Sequence, residues 1–349
     1  MTTAYINRIS TAVPEHDVHQ AFVDFADNTF TERRKQLLFR RMADRAQISH
    51  RWAGIGSPDS FYGDDPNSVT TETRMIEFER NAPGLATRAV DGLNLGDQAA
   101  EVTHLIVISC TGFFSPGIDF EIIEKCGVPM SVERTTIGFM GCFAGINGLK
   151  TAHHIVRSEP NAKVLVVSLE LCSLHLQRSD SLETMLSFLV FGDGCAAVLV
   201  SAEEEGIAID SFKALMVPES AELITWRIGD IGFDMVLSGK VPGVLSRTLD
   251  EPNVKSILSG AEKDSINLWA VHPGGRSILD AVEEAVGLEP EALSPSRHVL
   301  DNYGNMSSAT VLFVLAEMME RAKNGGPTGS GCAMAFGPGL TAETMLFHI

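Results

Sequence analysis

Hydrophobic positions along the chain follow two patterns. Short, nearly unbroken apolar runs at His104 to Ser109 (HLIVIS), Val164 to Leu169 and Asn267 to Val271 are rich in β-branched residues and predict strands buried on both faces. Between them apolar residues recur at helical spacing. One face carries Ala86, Ala89, Val90 and Leu93, and another helix is predicted from Ile118 to Cys126. Further stripes are Ile146, Leu149, His153 and Val156, then Ile278, Leu279, Val282 and Val286, then Leu312, Leu315, Met319 and Ala322. Punctuation sets the expected bounds: Pro83 in a first turn with Gly96 beyond the end, Pro160 as a stop, and Ser307 or Ser308 as an N-cap. The Pro/Gly/Asp-rich stretch from Gly54 to Pro66 reads as loop.

Strands alternating with helices predict the α/β class with a largely parallel sheet covered on both faces. Phe-Gly-x-Gly occurs twice before a strand-like run, at Phe191 to Gly194 and at Phe336 to Gly339. That repetition suggests two related α/β halves, 1–204 and 205–349, divided at the acidic stretch Glu203 to Gly206.

Composition narrows the function. A formal net charge of −18 with 7% aromatic residues argues against a nucleic-acid partner, which the average field would repel. The six cysteines lie mostly in apolar runs and none forms a CxxC or other metal-ligand spacing, so reduced thiols and no metal are expected. No basic segment followed by an apolar stretch opens the sequence and no run of about 18 apolar residues occurs, which predicts a cytoplasmic protein without a membrane span.

Three polar residues stand at predicted strand-to-helix junctions. Cys142 lies where the chain enters a helix, a position whose unpaired N–H groups favour a thiolate. Its neighbours Gly141 and Gly145 would leave room for an acyl group and let backbone amides face an oxyanion. His272 ends a predicted strand before Pro-Gly-Gly, and Asn305 closes Asn-Tyr-Gly-Asn. Each alone has a plainer reading, as a buried small residue, a hydrogen-bonded structural imidazole and a turn residue. Together they supply a nucleophile, a base and a neutral amide donor for a thioester enolate.

The segments Gly141-Cys142-Phe143-Ala144-Gly145, His272-Pro273-Gly274-Gly275, Tyr303-Gly304-Asn305-Met306-Ser307-Ser308 and Phe336-Gly337-Pro338-Gly339 resemble, in order, the motifs of chalcone synthase-like type III polyketide synthases. The resemblance spans nearly the whole chain. It implies a thiolase-like fold with a layered αβαβα core, a homodimer, and coenzyme A thioesters as substrates without a further cofactor. Cys142 would take the acyl starter, and His272 would keep it ionised and bind the malonyl-CoA carbonyl with Asn305. Phe191 and Phe233 resemble the family's gatekeeping phenylalanines, and Gly337, Pro338 and Gly339 would shape the chamber wall. Cys110, Cys172, His175 and Ser115 stand at positions resembling its lining; the two cysteines look bacterial. Ser115, Cys172 and His175 depart from the plant chalcone-forming pattern.

Coenzyme A is anionic, so an acidic protein needs a local basic patch. Arg33, Arg34, Lys35, Arg40, Arg41, Arg45 and Arg51 form one, with Arg34, Arg41 and Arg45 spaced to share a helix face. Arg41 and Arg45 match positions that contact coenzyme A phosphates in the family, while Leu38 replaces a third basic residue. Three other readings compete. A priming β-ketoacyl carrier-protein synthase would carry Gln-Ala-Asn after its histidine, and a cysteine peptidase would carry Gly-Ser-Cys-Trp; neither occurs. An inactive scaffold is the third.

Overall fold

The computed structural model describes residues 2–55, 61–249 and 251–349. Of the loop expected over 54–66, residues 56–60 lie outside the described residues. The chain opens with β1 (Ala4–Ala12) and β2 (His16–Asp17), then α1 (His19–Thr29), α2 (Arg33–Arg45), β3 (Trp52–Ala53) and α3 (Thr71–Asp91). There follow β4 (His104–Ser109), α4 (Ile118–Lys125), β5 (Glu133–Gly138), α5 (Ala144–Ser158), β6 (Val164–Leu171), α6 (Leu182–Val190) and β7 (Asp193–Ser201). The remainder comprises β8 (Ile207–Met216), a hairpin of β9 (Ile224–Gly229) and β10 (Gly232–Leu237), α7 (Val241–Thr248), α8 (Glu251–Ile257), β11 (Leu268–Val271), α9 (Arg276–Val286), α10 (Ser294–Tyr303), α11 (Thr310–Lys323), β12 (Ser330–Gly337) and β13 (Thr341–His348).

Nine strands form one sheet in the order β11-β12-β13-β8-β1-β7-β6-β4-β5. From the central β8–β1 seam each flank repeats one pattern: its first strand, its last strand, then its inner strands. Pairing is mixed rather than largely parallel. Only β4 with β5, β4 with β6, and β11 with β12 run parallel; the other five neighbours are antiparallel. The parallel pairs are reached through helical crossovers, whereas a tight turn after β12 sends β13 back beside it, and apolar runs carry no signal of direction.

Helices α5 and α11 lie between the flanks. Ile146, Leu149, Leu312 and Leu315 share one core with Ile106 and Val166 of the first flank and Ala270 and Ala333 of the second. Outside, α3 packs Phe78, Ala82 and Ala86 on Val107 and Leu165, and α9 packs Ile278 and Val282 on Trp269 and Met334. Helix, sheet, helix, sheet, helix is the αβαβα layering of the thiolase-like fold.

Three expected boundaries move. Helix α3 begins at Thr71 behind the Thr70 cap, so Pro83 lies in its interior; burial of Phe78, Ala82 and Leu85 offsets the lost backbone bond. Neither Ser307 nor Ser308 caps α11, because both sit in a preceding 3-10 turn with their hydroxyls engaged elsewhere. Asn305 follows the helix α10 rather than a strand.

Candidate active site

Three turns meet at the junction of the two flanks. Cys142 lies between β5 and α5, in a turn that needs positive φ at Phe139 (59°) and Gly141 (84°). His272 leaves the end of β11 with its N–H on the Met334 carbonyl (2.7 Å). Asn305 follows Gly304 (φ 68°) and is laced to the end of α6: its N–H donates to Val190 O (2.7 Å) and its carbonyl accepts from Gly192 N (3.0 Å).

A chain of contacts links the Cys142 and Asn305 side chains to the backbone of the His272 turn. The Cys142 thiol points at Ser307 Oγ (3.8 Å), and Ser307 N donates to Asn305 Oδ1 (2.8 Å). Asn305 Nδ2 donates to Gly274 O (3.3 Å), and Gly274 N closes a turn onto His272 O (2.9 Å). Because Oδ1 accepts a backbone N–H, the amide orientation is determined and Nδ2 must be the group facing the His272 turn.

Electrostatics favour the neutral forms of both Cys142 and His272. Burial pushes the Cys142 thiol up to about 12, although Ser307 and Asn305 favour its ionised form, and Glu170 opposes it. Burial alone pulls His272 down to about 3. The thiolate expected from the helix position is opposed here by desolvation, and Cys142 precedes α5 by two residues. Both ring nitrogens of His272, 1% exposed, lack any hydrogen-bond partner among the described residues. An unmet buried polar atom costs about 1–3 kcal/mol, a penalty that a bound ligand would relieve.

The space beside the glycines is filled by protein, not left open. A Cβ at Gly141 would stand 2.8 Å from Pro338 Cγ, one at Gly145 2.5 Å from Ser308 O, and one at Gly337 2.7 Å from Phe143 Cδ1. The Gly337-Pro338-Gly339 turn thus braces the Cys142 turn directly. Cys110 joins it too, its sulfur accepting from Gly141 N (3.1 Å). Burial and Glu170 raise the thiols of Cys110 and Cys172 well above their ordinary range.

His175 is fully buried with both nitrogens in use. Nδ1 accepts from Phe233 N (3.0 Å), so Nε2 carries the proton and donates to Thr111 O (2.7 Å). The imidazole, pulled down to about 3 by burial, stacks on Phe233 at 4.1 Å, and Trp226 meets both rings edge-on. Trp226 also donates to Cys110 O (2.6 Å), pinning the β9–β10 hairpin over the pocket. Phe191 occupies a different wall, lining a cavity with Cys172. Ser115 stands apart, exposed beside a cavity lined by Phe113, Phe114 and Arg134, because its loop turns away from Cys142 within one chain.

Several residues escaped the sequence reading. Glu170, fully buried, accepts from Cys110 N (2.9 Å), Thr111 Oγ1 (2.8 Å) and Ser308 Oγ; a lone acid in an apolar strand was its signal. Ser307 and Trp226 had none. A cavity of about 660 Å³ runs from Arg45 and Arg276 past Leu186 and Val190 to Gly274, beside His272. In the basic patch Lys35 pairs with Asp180 and Arg40 with Asp27, while Arg51 is buried and is no part of the surface patch. Arg34, Arg41 and Arg45 have no acidic partner among the described residues; Arg45 lines this cavity and Arg41 does not.

Among the described residues no group of His, Cys, Asp and Glu is arranged to hold a metal ion, and no helix is long and apolar enough to cross a membrane. The family model for the N-terminal domain of chalcone and stilbene synthases matches residues 2–204, and that for the C-terminal domain matches 208–349. The alpha-pyrone synthesis polyketide synthase-like Pks18 of Mycobacterium tuberculosis is 32% identical, over 100% of this chain and 92% of that one. Bisdemethoxycurcumin synthase of Oryza sativa subsp. japonica is 37% identical over 81% and 75%. Among solved structures, PKS-I of the brown alga Ectocarpus siliculosus superimposes with a TM-score of 0.90 at 27% identity, covering 100% of this chain and 99% of that one. The C-terminal type III polyketide synthase domain of Steely1 from Dictyostelium gives 0.89 at 25%, covering 99% of each.

Proposed function

This chain belongs to the chalcone and stilbene synthase family of type III polyketide synthases, and on that premise we propose that Cys142 loads an acyl group from a coenzyme A thioester and extends it with malonyl-CoA, releasing a cyclised product of the pyrone kind. The bare imidazole of His272 carries this reading: it packs beside Gly274, whose carbonyl accepts from Asn305 and which lines a cavity together with Arg45 and Arg276. Neither group ionises readily alone. Transfer of the Cys142 proton to His272 leaves the net charge of the pair at zero, so burial penalises the paired step far less. The thiolate attacks the acyl carbonyl, and coenzyme A leaves with the proton from His272.

Malonyl-CoA then binds with its thioester oxygen facing His272 Nε2–H and the free N–H of Asn305 Nδ2. Loss of CO₂ leaves an enolate on that oxygen, which the two donors stabilise. Its carbon attacks the Cys142 thioester, forming a carbon–carbon bond and freeing the sulfur for another round. Arg41 and Arg45 would receive the coenzyme A phosphates, and the stacked Phe233 and His175 would bound the growing chain. The two family halves would act as 1–204 and 205–349, in the cytoplasm. A homodimer would pair through β5, a mostly exposed strand at the open end of the sheet, near exposed Met130 and Phe120.

Incubation with an acyl-CoA series and [¹⁴C]malonyl-CoA tests this: CO₂ release with cyclised polyketides in the product mass spectrum is the expected result. By intact mass, Cys142→Ala should lose acyl loading, while Asn305→Ala should load and fail to decarboxylate. Full polyketide formation by Cys142→Ala would overturn the assignment.

A further inference from the structure

A second cavity, of about 610 Å³, lies behind Phe191 and Cys172. Its apolar walls include Phe22, Phe25, Leu176 and Phe188, and it does not reach Cys142, His272 or Asn305. Arg51, 3% exposed, lines its inner side. Arg51 Nη1 donates to the carbonyls of Phe188 (3.0 Å) and Phe191 (2.6 Å), and Nε donates to His19 Nδ1 (3.0 Å). Nη2 has no acceptor among the described residues. At the rim stand the exposed Asp24, Asn28, Asp64 and Arg178, the last with its guanidinium over the Phe25 ring.

These features select one ligand chemistry. The unmet Nη2 calls for a carbonyl or enolate oxygen, and the phenyl faces favour a flat ring. The Asp24 and Asp64 carboxylates at the rim accept hydroxyl hydrogens, and a plain acyl chain would leave both these acceptors and Nη2 unmet. We propose that this cavity is a second binding site for a hydroxylated, flat ring of the class the enzyme releases, and that its occupancy slows decarboxylation. The proposal rests on the function assigned above. The coupling is short: Arg51 holds the Phe191 carbonyl, and the residues on either side of Phe191 carry the backbone hydrogen bonds of Asn305.

The test uses 4-hydroxy-6-methyl-2-pyrone as probe. In assays of ¹⁴CO₂ release from malonyl-CoA it should lower kcat with KM unchanged, and equilibrium dialysis should detect it on protein saturated with coenzyme A. Ala21→Trp, placed at the mouth on the exposed side of α1, should weaken both effects at least tenfold; Arg51 itself is too deeply engaged for a clean substitution. Purely competitive inhibition, indifferent to Ala21→Trp, would place the probe in the Cys142 pocket and overturn the proposal. A changed starter chain length in Ala21→Trp, with no change in pyrone binding, would assign the cavity to the acyl chain and overturn it equally. If malonyl-CoA released no CO₂ at all, the enzymatic reading would fail, and dialysis with the two proteins would still decide whether the site exists.

Discussion

Replacing Gly141 by alanine perturbs the nucleophile's turn without touching its chemistry. The residue sits at φ 84°, where an L side chain is strained by about 1–2 kcal/mol. The added methyl would stand 2.8 Å from Pro338 Cγ and nearer still to Cδ, against an ordinary contact of at least 3.4 Å, so the two turns must part by 0.6 Å or more. Overpacking of that kind costs about 1–3 kcal/mol, which brings the total to about 2–5 kcal/mol. For 349 residues the unfolding entropy converts this at roughly 1.4 °C per kcal/mol, an expected fall in Tm of about 3–7 °C. Because the displaced atoms bound the site, malonyl-CoA decarboxylation should drop by up to about 10²-fold. Calorimetry and ¹⁴CO₂ release measure the two effects. A variant with wild-type Tm and wild-type turnover would refute the claim that Pro338 braces the Cys142 turn.

Three further outcomes are expected. His272 and His175 are both pulled down to about 3, below the ordinary 6.5, so the unfolded chain takes up the protons first and stability is lost as pH falls from about 6.5 toward 3. His272→Gln should flatten that decline, read as a smaller drop in urea midpoint between pH 7 and pH 5 than in the wild type. Arg45→Ala should raise KM for malonyl-CoA by about fivefold with kcat unchanged, the effect of losing about 1 kcal/mol of uniform binding, whereas Arg40→Ala, already paired with Asp27, should not. Trp226→Phe removes the bond to Cys110 O at a cost of about 1 kcal/mol, loosening the hairpin that carries Phe233; a broader product range by mass spectrometry would report it.

Much of the site was legible before the structure. The strand ending at Ser109 has the expected bounds, since four consecutive apolar residues, three of them β-branched, between turns admit few alternatives. Cys142, His272 and Asn305 were recognisable because each lies in a motif whose glycines and prolines carry backbone constraints. Other features were hidden for physical reasons. Strand direction leaves no trace in a run buried on both faces, so the mixed pairing was missed. Arg51 looked like one more surface cation until its carbonyl partners on Phe188 and Phe191 were known. The resting protonation of Cys142 depends on how much protein surrounds the sulfur, a tertiary quantity that helix position cannot supply.

The seam between β1 and β8 holds only three residue pairs, Ala4 with Ile209, Tyr5 with Ala208 and Ile6 with Ile207. The sulfur is anchored on one side of that stitch, the imidazole and carboxamide on the other. Neither portion of the polypeptide therefore carries all three side chains, and the opening residues of the chain, remote in sequence from each of them, help keep the two sides in register.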